Sequence, residues 1–219
     1  MTNATRRRLL AGAGAWAGLA TAGALGGCAS LLPTPPMAPA QFVLDDQAPA
    51  PASAQRPPPN APTLIVSAPR AAAGFDTRSM VYLRKLHELE AFAYHQWVDT
   101  PAQMLAPLIA QAVERSGAFG AVLRAPTTAT AELRLDTELI RLQHEFLGPP
   151  SRVRLTLRAV LVDVATRRVV AWREFDTSVA SASEDPYGGV LAANQAVREL
   201  LAGLATFCAQ SALLAAAAR

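Results

Sequence analysis

The stretch Arg152-Val153-Arg154-Leu155-Thr156-Leu157-Arg158-Ala159-Val160-Leu161-Val162-Asp163-Val164 decides the fold. Val153, Leu155, Leu157, Ala159 and Leu161 occupy every second position, the period of a strand that lays one face on a core. Ala165-Thr166-Arg167-Arg168 reads as a turn, and a second strand follows over 169–180. Two strands joined by so short a turn form an antiparallel hairpin. With one apolar and one polar face, they belong to a sheet covered on one side only. The basic segment Arg152-Val153-Arg154 then belongs on a solvated face.

Upstream, residues 131–146 read as another long strand and 119–124 as a short one. Thr63-Leu64-Ile65-Val66-Ser67 is a β-rich run ended by Pro69, and residues 79–84 and 89–95 alternate as a hairpin should. Thr100-Pro101-Ala102-Gln103 opens a helix, with a hydroxyl at the N-cap, proline at N1 and a glutamine at N3 to complete a capping box. Met104, Leu105, Leu108, Ile109, Ala112 and Val113 form its apolar stripe, and Gly117 supplies the stop. Pro107 removes one backbone bond and predicts a kink. A second helix opens at Pro186 and runs to about Gln210, its inner side carrying Val190, Asn194, Val197, Leu201, Leu204 and Cys208. The fold class expected is α/β in the α+β sense: an antiparallel-rich sheet with two main helices packed on one face, a two-layer sandwich.

The N-terminal end has a different character. Arg6-Arg7-Arg8 precedes an uncharged run from Leu9 to Gly27, and Leu25-Gly26-Gly27-Cys28 closes it. A basic start, an apolar middle and small residues before a cut are the marks of an export signal. The last four residues resemble the lipobox of bacterial lipoproteins, in which cleavage precedes a cysteine that is acylated on its thiol and its new amino group. The competing reading is a transmembrane anchor. The run is about long enough to span a bilayer, but it consists mostly of Ala and Gly and lacks a charged stop-transfer flank. Thr5-Arg6-Arg7-Arg8-Leu9-Leu10 resembles a twin-arginine signal and fits an ordinary basic start equally well. The division expected is 1–27 as a removed leader, 28–40 as a lipidated proline-rich tether, 41–210 as the folded domain, and 211–219 as an alanine-rich tail. Ten of the seventeen prolines fall between Ala29 and Pro62, so 45–62 reads as a proline-rich loop. Gln41-Phe42-Val43-Leu44 is the one strand-like island there. The dozen residues after Cys28 span roughly 35 Å as polyproline.

Three of the twenty basic residues leave with the leader, so the remainder carries seventeen charges of each sign. A nucleic-acid footprint needs a concentrated positive patch, and none is written here. Cys28 and Cys208 are the two cysteines. If Cys28 carries lipid, Cys208 has no partner within the chain, and its apolar helical setting reads as a buried hydrophobe. His87, His95 and His144 show no metal spacing, and no nucleophile elbow, phosphate loop or dinucleotide fingerprint occurs. His144-Glu145 is the single suggestive pair, yet neighbours on a strand point to opposite faces. The reading is therefore non-enzymatic, with no metal and no cofactor. Tyr82, Tyr94 and Trp97 fit either a core with polar handles or an interaction surface.

Arg78-Ser79-Met80-Val81-Tyr82, Tyr94-His95-Gln96-Trp97 and Pro101-Ala102-Gln103-Met104-Leu105 together resemble the signature of the ABC-type transport auxiliary lipoproteins, the family of paraquat-inducible protein C. The order of elements from lipobox to final helix agrees. Phe42, where the family usually has tyrosine, and the proline-rich loop depart from it. The resemblance marks Tyr82, Tyr94, Trp97, Pro101 and Leu105 as family positions in a core or an interface. It implies a non-catalytic component of a system that moves lipids between the inner and outer membranes, partnered by an ABC transporter and an MCE-domain protein. It also implies a protein held by acyl chains in the outer membrane, facing the periplasm. Because Ala29 rather than Asp follows the cysteine, inner-membrane retention is not expected. A one-sided sheet and a balanced charge predict a homo-oligomer. An outer-membrane structural or assembly lipoprotein outside lipid transport is the second reading.

Overall fold

The computed structural model describes residues 37–46 and 57–217. In chain order these form β1 (Ala40–Phe42), β2 (Thr63–Val66), β3 (Arg70–Ala71), β4 (Ser79–Lys85), β5 (Glu88–Trp97), α1 (Pro101–Arg115), β6 (Ala121–Arg124), β7 (Leu133–Glu145), β8 (Arg152–Asp163), β9 (Val169–Ala180) and α2 (Pro186–Ala217). Leu25, Gly26, Gly27, Cys28, most of the tether and 47–56 of the proline-rich loop lie outside the described residues. From Ala38 onward the described chain is one compact unit.

The strands make one nine-stranded sheet built around β7. Along one edge β7 pairs antiparallel with β8, which pairs antiparallel with β9. Along the other edge it meets three short strands in turn, all parallel: Leu64–Val66 of β2 against Leu133–Leu135, β3 against Glu138–Leu139, and Tyr82–Leu83 of β4 against His144–Glu145. Backbone bonds from Ser67 N–H to the Leu135 carbonyl (2.9 Å), from Ala72 N–H to Leu139 (2.8 Å) and from Phe146 N–H to Leu83 (2.8 Å) continue this edge. The chain from 63 to 85 thus behaves as one interrupted strand running beside β7. Pro69, with no N–H to donate, falls in its first break.

The expectation of an antiparallel-rich sheet is therefore corrected. Among the described residues five of the eight strand pairings are parallel, and the sheet is mixed. Short turns make the antiparallel hairpins. β2, β3 and β4 precede α1, however, and reach β7 and β6 through crossovers, which bring strands back in the same direction.

One face of β7 and β8 forms the core. Leu133, Leu135, Leu139, Leu155, Leu157, Ala159 and Leu161 are fully buried there, against Ile109 and Val113 of α1 and Val197, Leu201, Leu204 and Cys208 of α2. The alternation read from 153–161 is the alternation found. α2 is long and apolar enough, by length and composition, to cross a membrane. Its buried side packs on β8, β9 and α1, as that of a core helix does. It continues to Ala217, past the end expected near Gln210.

α1 begins as read, with Thr100 Oγ1 accepting from the Gln103 N–H at 3.4 Å. The reciprocal half of the capping box is replaced, because the Thr100 N–H donates to the Asp99 carboxylate at 2.7 Å. At its far end Gly117 takes φ 65°, the left-handed conformation that ends helices. The β4–β5 hairpin is present, but register shifts interrupt its pairing. Leu89 is 51 % exposed on it while Phe92 turns toward the core.

Leu105 and Ile109 are 1 % and 0 % exposed. Truncating either to alanine is expected to cost about 2–5 kcal/mol, against about 1 kcal/mol for Thr100→Ala. Urea melts of the three variants check the ranking. A cap loss larger than both core losses would mean that α1 is held by its end and not by its stripe.

Candidate functional site

Where α2 begins, three polar side chains meet against the ends of β7 and β8. His144 lies opposite Val153 in the β7–β8 register and faces the helices. Its Nε2 is 2.9 Å from Ser151 Oγ and 3.0 Å from Ser181 Oγ, and all three residues are buried. Ser151 and Ser181 stand together because the Ser181 N–H donates to the Ser151 carbonyl at the open end of the hairpin. Glu184 accepts from the Ser151 N–H at 2.8 Å, and Asp185 accepts from the Gly188 N–H at 2.7 Å. Asp185-Pro186 is therefore an N-cap followed by proline at N1, which starts α2 at this place.

The imidazole touches the first turn of α2 directly. A Cβ on Gly189 would stand 2.5 Å from His144 Nδ1, a distance that side chains do not adopt. Nδ1 is buried without a hydrogen-bond partner. Beside it is a cavity of about 20 Å³, lined by Met80, Phe92, Trp97, Leu142 and Gly189 among others, with room for about one water. Burial lowers the His144 pKa, with Glu184 and Asp185 opposing. The ring is therefore neutral at neutral pH.

A serine within reach of a histidine is the geometry of an activated nucleophile. Here Ser151 is 0 % exposed, and Glu184 and Asp185 are engaged by backbone N–H groups rather than by the imidazole. The serines tie the ring to the open end of the β8–β9 hairpin, and Glu184 and the Gly189 contact bring the start of α2 against it. Cys208 is likewise closed off, since burial pushes its thiol up to about 12, which fits the reading of it as a buried hydrophobe. His144 and Glu145 do point to opposite faces: His144 turns inward, and Glu145 accepts from Gln143 at 2.7 Å on the other side.

The opposite face of the sheet carries charge. Arg154 and the Thr156 hydroxyl donate to Asp176, at 2.9 and 2.6 Å. Arg158 bridges Glu174 and Glu138 at 3.0 and 3.6 Å, and Arg134 pairs with Asp136 at 3.0 Å. The Arg154 guanidinium in particular holds the Asp176 carboxyl down to about 2. At one end of this face is a groove of about 480 Å³, where Leu83, Leu86, Leu89 and Leu147 meet Arg141. Among the described residues no three His, Cys, Asp or Glu side chains converge as a metal would require.

The family positions separate into two groups. Tyr82 and Trp97 are 8 % and 4 % exposed, and Pro101 and Leu105 are buried at the start of α1. Tyr82 uses its polar handle, its hydroxyl donating to Glu90 at 2.8 Å. Tyr94 is the exception at 55 % exposed. Trp97 among these positions lines the cavity beside His144. Sequence reading missed the His144–Ser151–Ser181 cluster. Its signal was an unpaired histidine on the apolar side of β7, with a serine at each end of the β8–β9 hairpin.

A model of the family described as "ABC-type transport auxiliary lipoprotein component" matches residues 42–205. A crystal structure of a Xanthomonas campestris protein resembles the chain with a TM-score of 0.66 at 23 % identity, covering 82 % of this chain and 97 % of that one. A second, of an uncharacterized protein, gives 0.61 at 12 % identity and covers 78 % and 99 %. At these identities the likeness is one of fold. No curated protein matches.

Two outcomes are expected from this site. Gly189→Ala should destabilise the domain by about 1–3 kcal/mol, the cost of overpacking, and adding His144→Ala should recover part of it; equal losses in the single and double variants would show that the ring is not the obstacle. Because folding depresses the His144 pKa, its contribution is complete above the unfolded value near 6.5 and is lost as pH falls through the lower folded value. Urea melts between pH 8 and 5 should show stability falling on the acid side, with a flatter profile for His144→Gln.

Proposed function

The chain belongs to the ABC-type transport auxiliary lipoprotein family, and from that membership we propose that it is a non-catalytic component of an MCE-type ABC transport system moving lipids between the inner and outer membranes. The observation that carries the proposal is the family match over residues 42–205, which spans nearly the whole folded unit. The residue roles support a component: His144 is bonded to buried serines and packed against Gly189 of α2, and Tyr82, Trp97, Pro101 and Leu105 frame the core. In this reading Cys28 carries the acyl chains, residues 28–40 tether the domain, and Ala29 sends the protein to the outer membrane, where it faces the periplasm.

The partners proposed are the MCE-domain protein, the ABC transporter and further copies of the chain. Support for self-association lies in β9, which pairs with β8 alone among the described strands and leaves a twelve-residue edge. Trp172 and Val169 are 65 % and 57 % exposed along it. A long uncovered edge invites pairing with another strand.

Cys28→Ser is expected to remove the protein from the outer-membrane fraction of a density gradient. A burial of about 0.8 kcal/mol per acyl CH₂ makes the wild-type anchor firm. Retention of the variant with outer-membrane markers would end the anchor reading. The acylated protein used as bait should recover an MCE-domain protein from solubilised membranes. Failure to do so, with monomeric light scattering of the domain, would favour the structural-lipoprotein reading instead.

A further inference from the structure

Tyr187 and Leu191 lie one turn apart at the start of α2 and are 59 % and 47 % exposed. The Tyr187 ring is 6.3 Å from that of Phe42, which also stacks on His95 at 5.9 Å. Asn194, next along the same helix face, accepts from the Asp45 N–H at 2.8 Å and donates to the Val43 carbonyl at 3.4 Å. These bonds hold Val43, 53 % exposed, against the same turns of α2. An apolar, aromatic cluster, bordered by Asp45 and by Glu184 and Asp185, therefore straddles β1 and α2 and has no cover among the described residues.

The covalent path to this cluster argues for its occupant. Eleven residues, hence twelve Cα–Cα steps, separate Cys28 from Ala40, the first residue of β1. Fully extended they reach about 43 Å, less than the 48 Å or so that α2 measures at 1.5 Å per residue. A lipidated domain cannot stand further from the bilayer than its own length, and the surface nearest the tether meets the lipid at the highest effective concentration. Met37 and Val98, 70 % and 42 % exposed, flank β1 as well, whereas Leu213 and Leu86 are remote. Leu213 lies twenty-six residues beyond Tyr187 along α2, about 39 Å away. Leu86 is at the far tip of the hairpin, whose strand β5 runs about 30 Å from there to the Trp97–Phe42 pair. Tyrosine, with an apolar ring and a polar end, suits the depth of lipid headgroups.

We infer that the Val43–Tyr187–Leu191 face is a lipid-surface contact, seated at the headgroup boundary of the membrane that holds the tether. The inference rests on the Cys28 anchor of the proposed function. It has an architectural consequence. Along the path β1, β5, β4, β7, β8, β9 the two edges are opposite, so a β1 edge on the bilayer leaves the β9 edge directed away from it, toward partners.

The test couples the chain from Cys28 onward, through Cys28, to a maleimide lipid in phosphatidylethanolamine–phosphatidylglycerol vesicles with brominated acyl chains. Buried Cys208 does not compete. Tyr187→Trp, and independently Leu191→Trp, should lose at least half of the added emission relative to vesicles without bromine. The unsubstituted chain, which reports buried Trp97 and exposed Trp172, should lose little. Equal quenching in parent and variants overturns the inference. So does absence of quenching with emission that depends on protein density, which would assign the face to a second copy. The mass of the N-terminal peptide recovered from cells reports the anchor separately: an unacylated Cys28 with quenching intact refutes the anchor and leaves the lipid-seeking face standing.

Discussion

Pairing of β7 on both edges is the constraint on which the rest depends. β7 is paired along the whole of one edge and at three places on the other, so its alternation must serve two faces at once. On one face Leu133, Leu135 and Leu139 meet the helices at 0 % exposure. On the other, Arg134, Asp136 and Glu138 stand in water, and the first two pair with each other. Moving β7 by one residue would bury these charges and expose the leucines, at several kcal/mol for each unpaired charge. The register of β2, β3, β4 and β8 is thereby set together.

This explains what could and could not be read in advance. The β8–β9 hairpin is local: its turn is short, its period is two, and the residues that face inward declare themselves. The start of α1 is local too, apart from the exchange of Gln103 for Asp99 at the Thr100 N–H. The parallel edge is not local. Residues 64 and 133 are sixty-nine positions apart, and nothing in a run such as Thr63–Val66 says which strand it will join or in which direction. The face of β5 was obscured for a related reason, because register shifts break the alternation read over 89–95. Among the candidate residues, Tyr82 and Trp97 are buried and Tyr94 is exposed. The role of His144 needed a third element, α2, to be visible at all.

Among the described residues no helix covers the second face of the sheet, and charge takes that part. Arg154 and Thr156 share Asp176, while Arg158 spans the two strands beside its own. Surface pairs of this kind are individually weak. Their linkage across β7, β8 and β9 keeps the face polar and favours one register over its neighbours. The apolar residues left over accordingly gather at the periphery: Val43, Tyr187 and Leu191 by β1, Trp172 and Val169 on β9, and Leu86, Leu89 and Leu147 at the hairpin tip.

The buried histidine cluster connects this periphery to the rigid centre. His144 belongs to β7, and its ring is pressed against Gly189, two residues from both Tyr187 and Leu191. Asp185 and Glu184 fix the turn before them to Gly188 and Ser151. The first turn of α2 therefore cannot shift without disturbing the strand that organises the sheet. An exposed apolar pair mounted on a loop would fold back or reorient on contact. Mounted here it is presented in one orientation, with the β1 edge at its side.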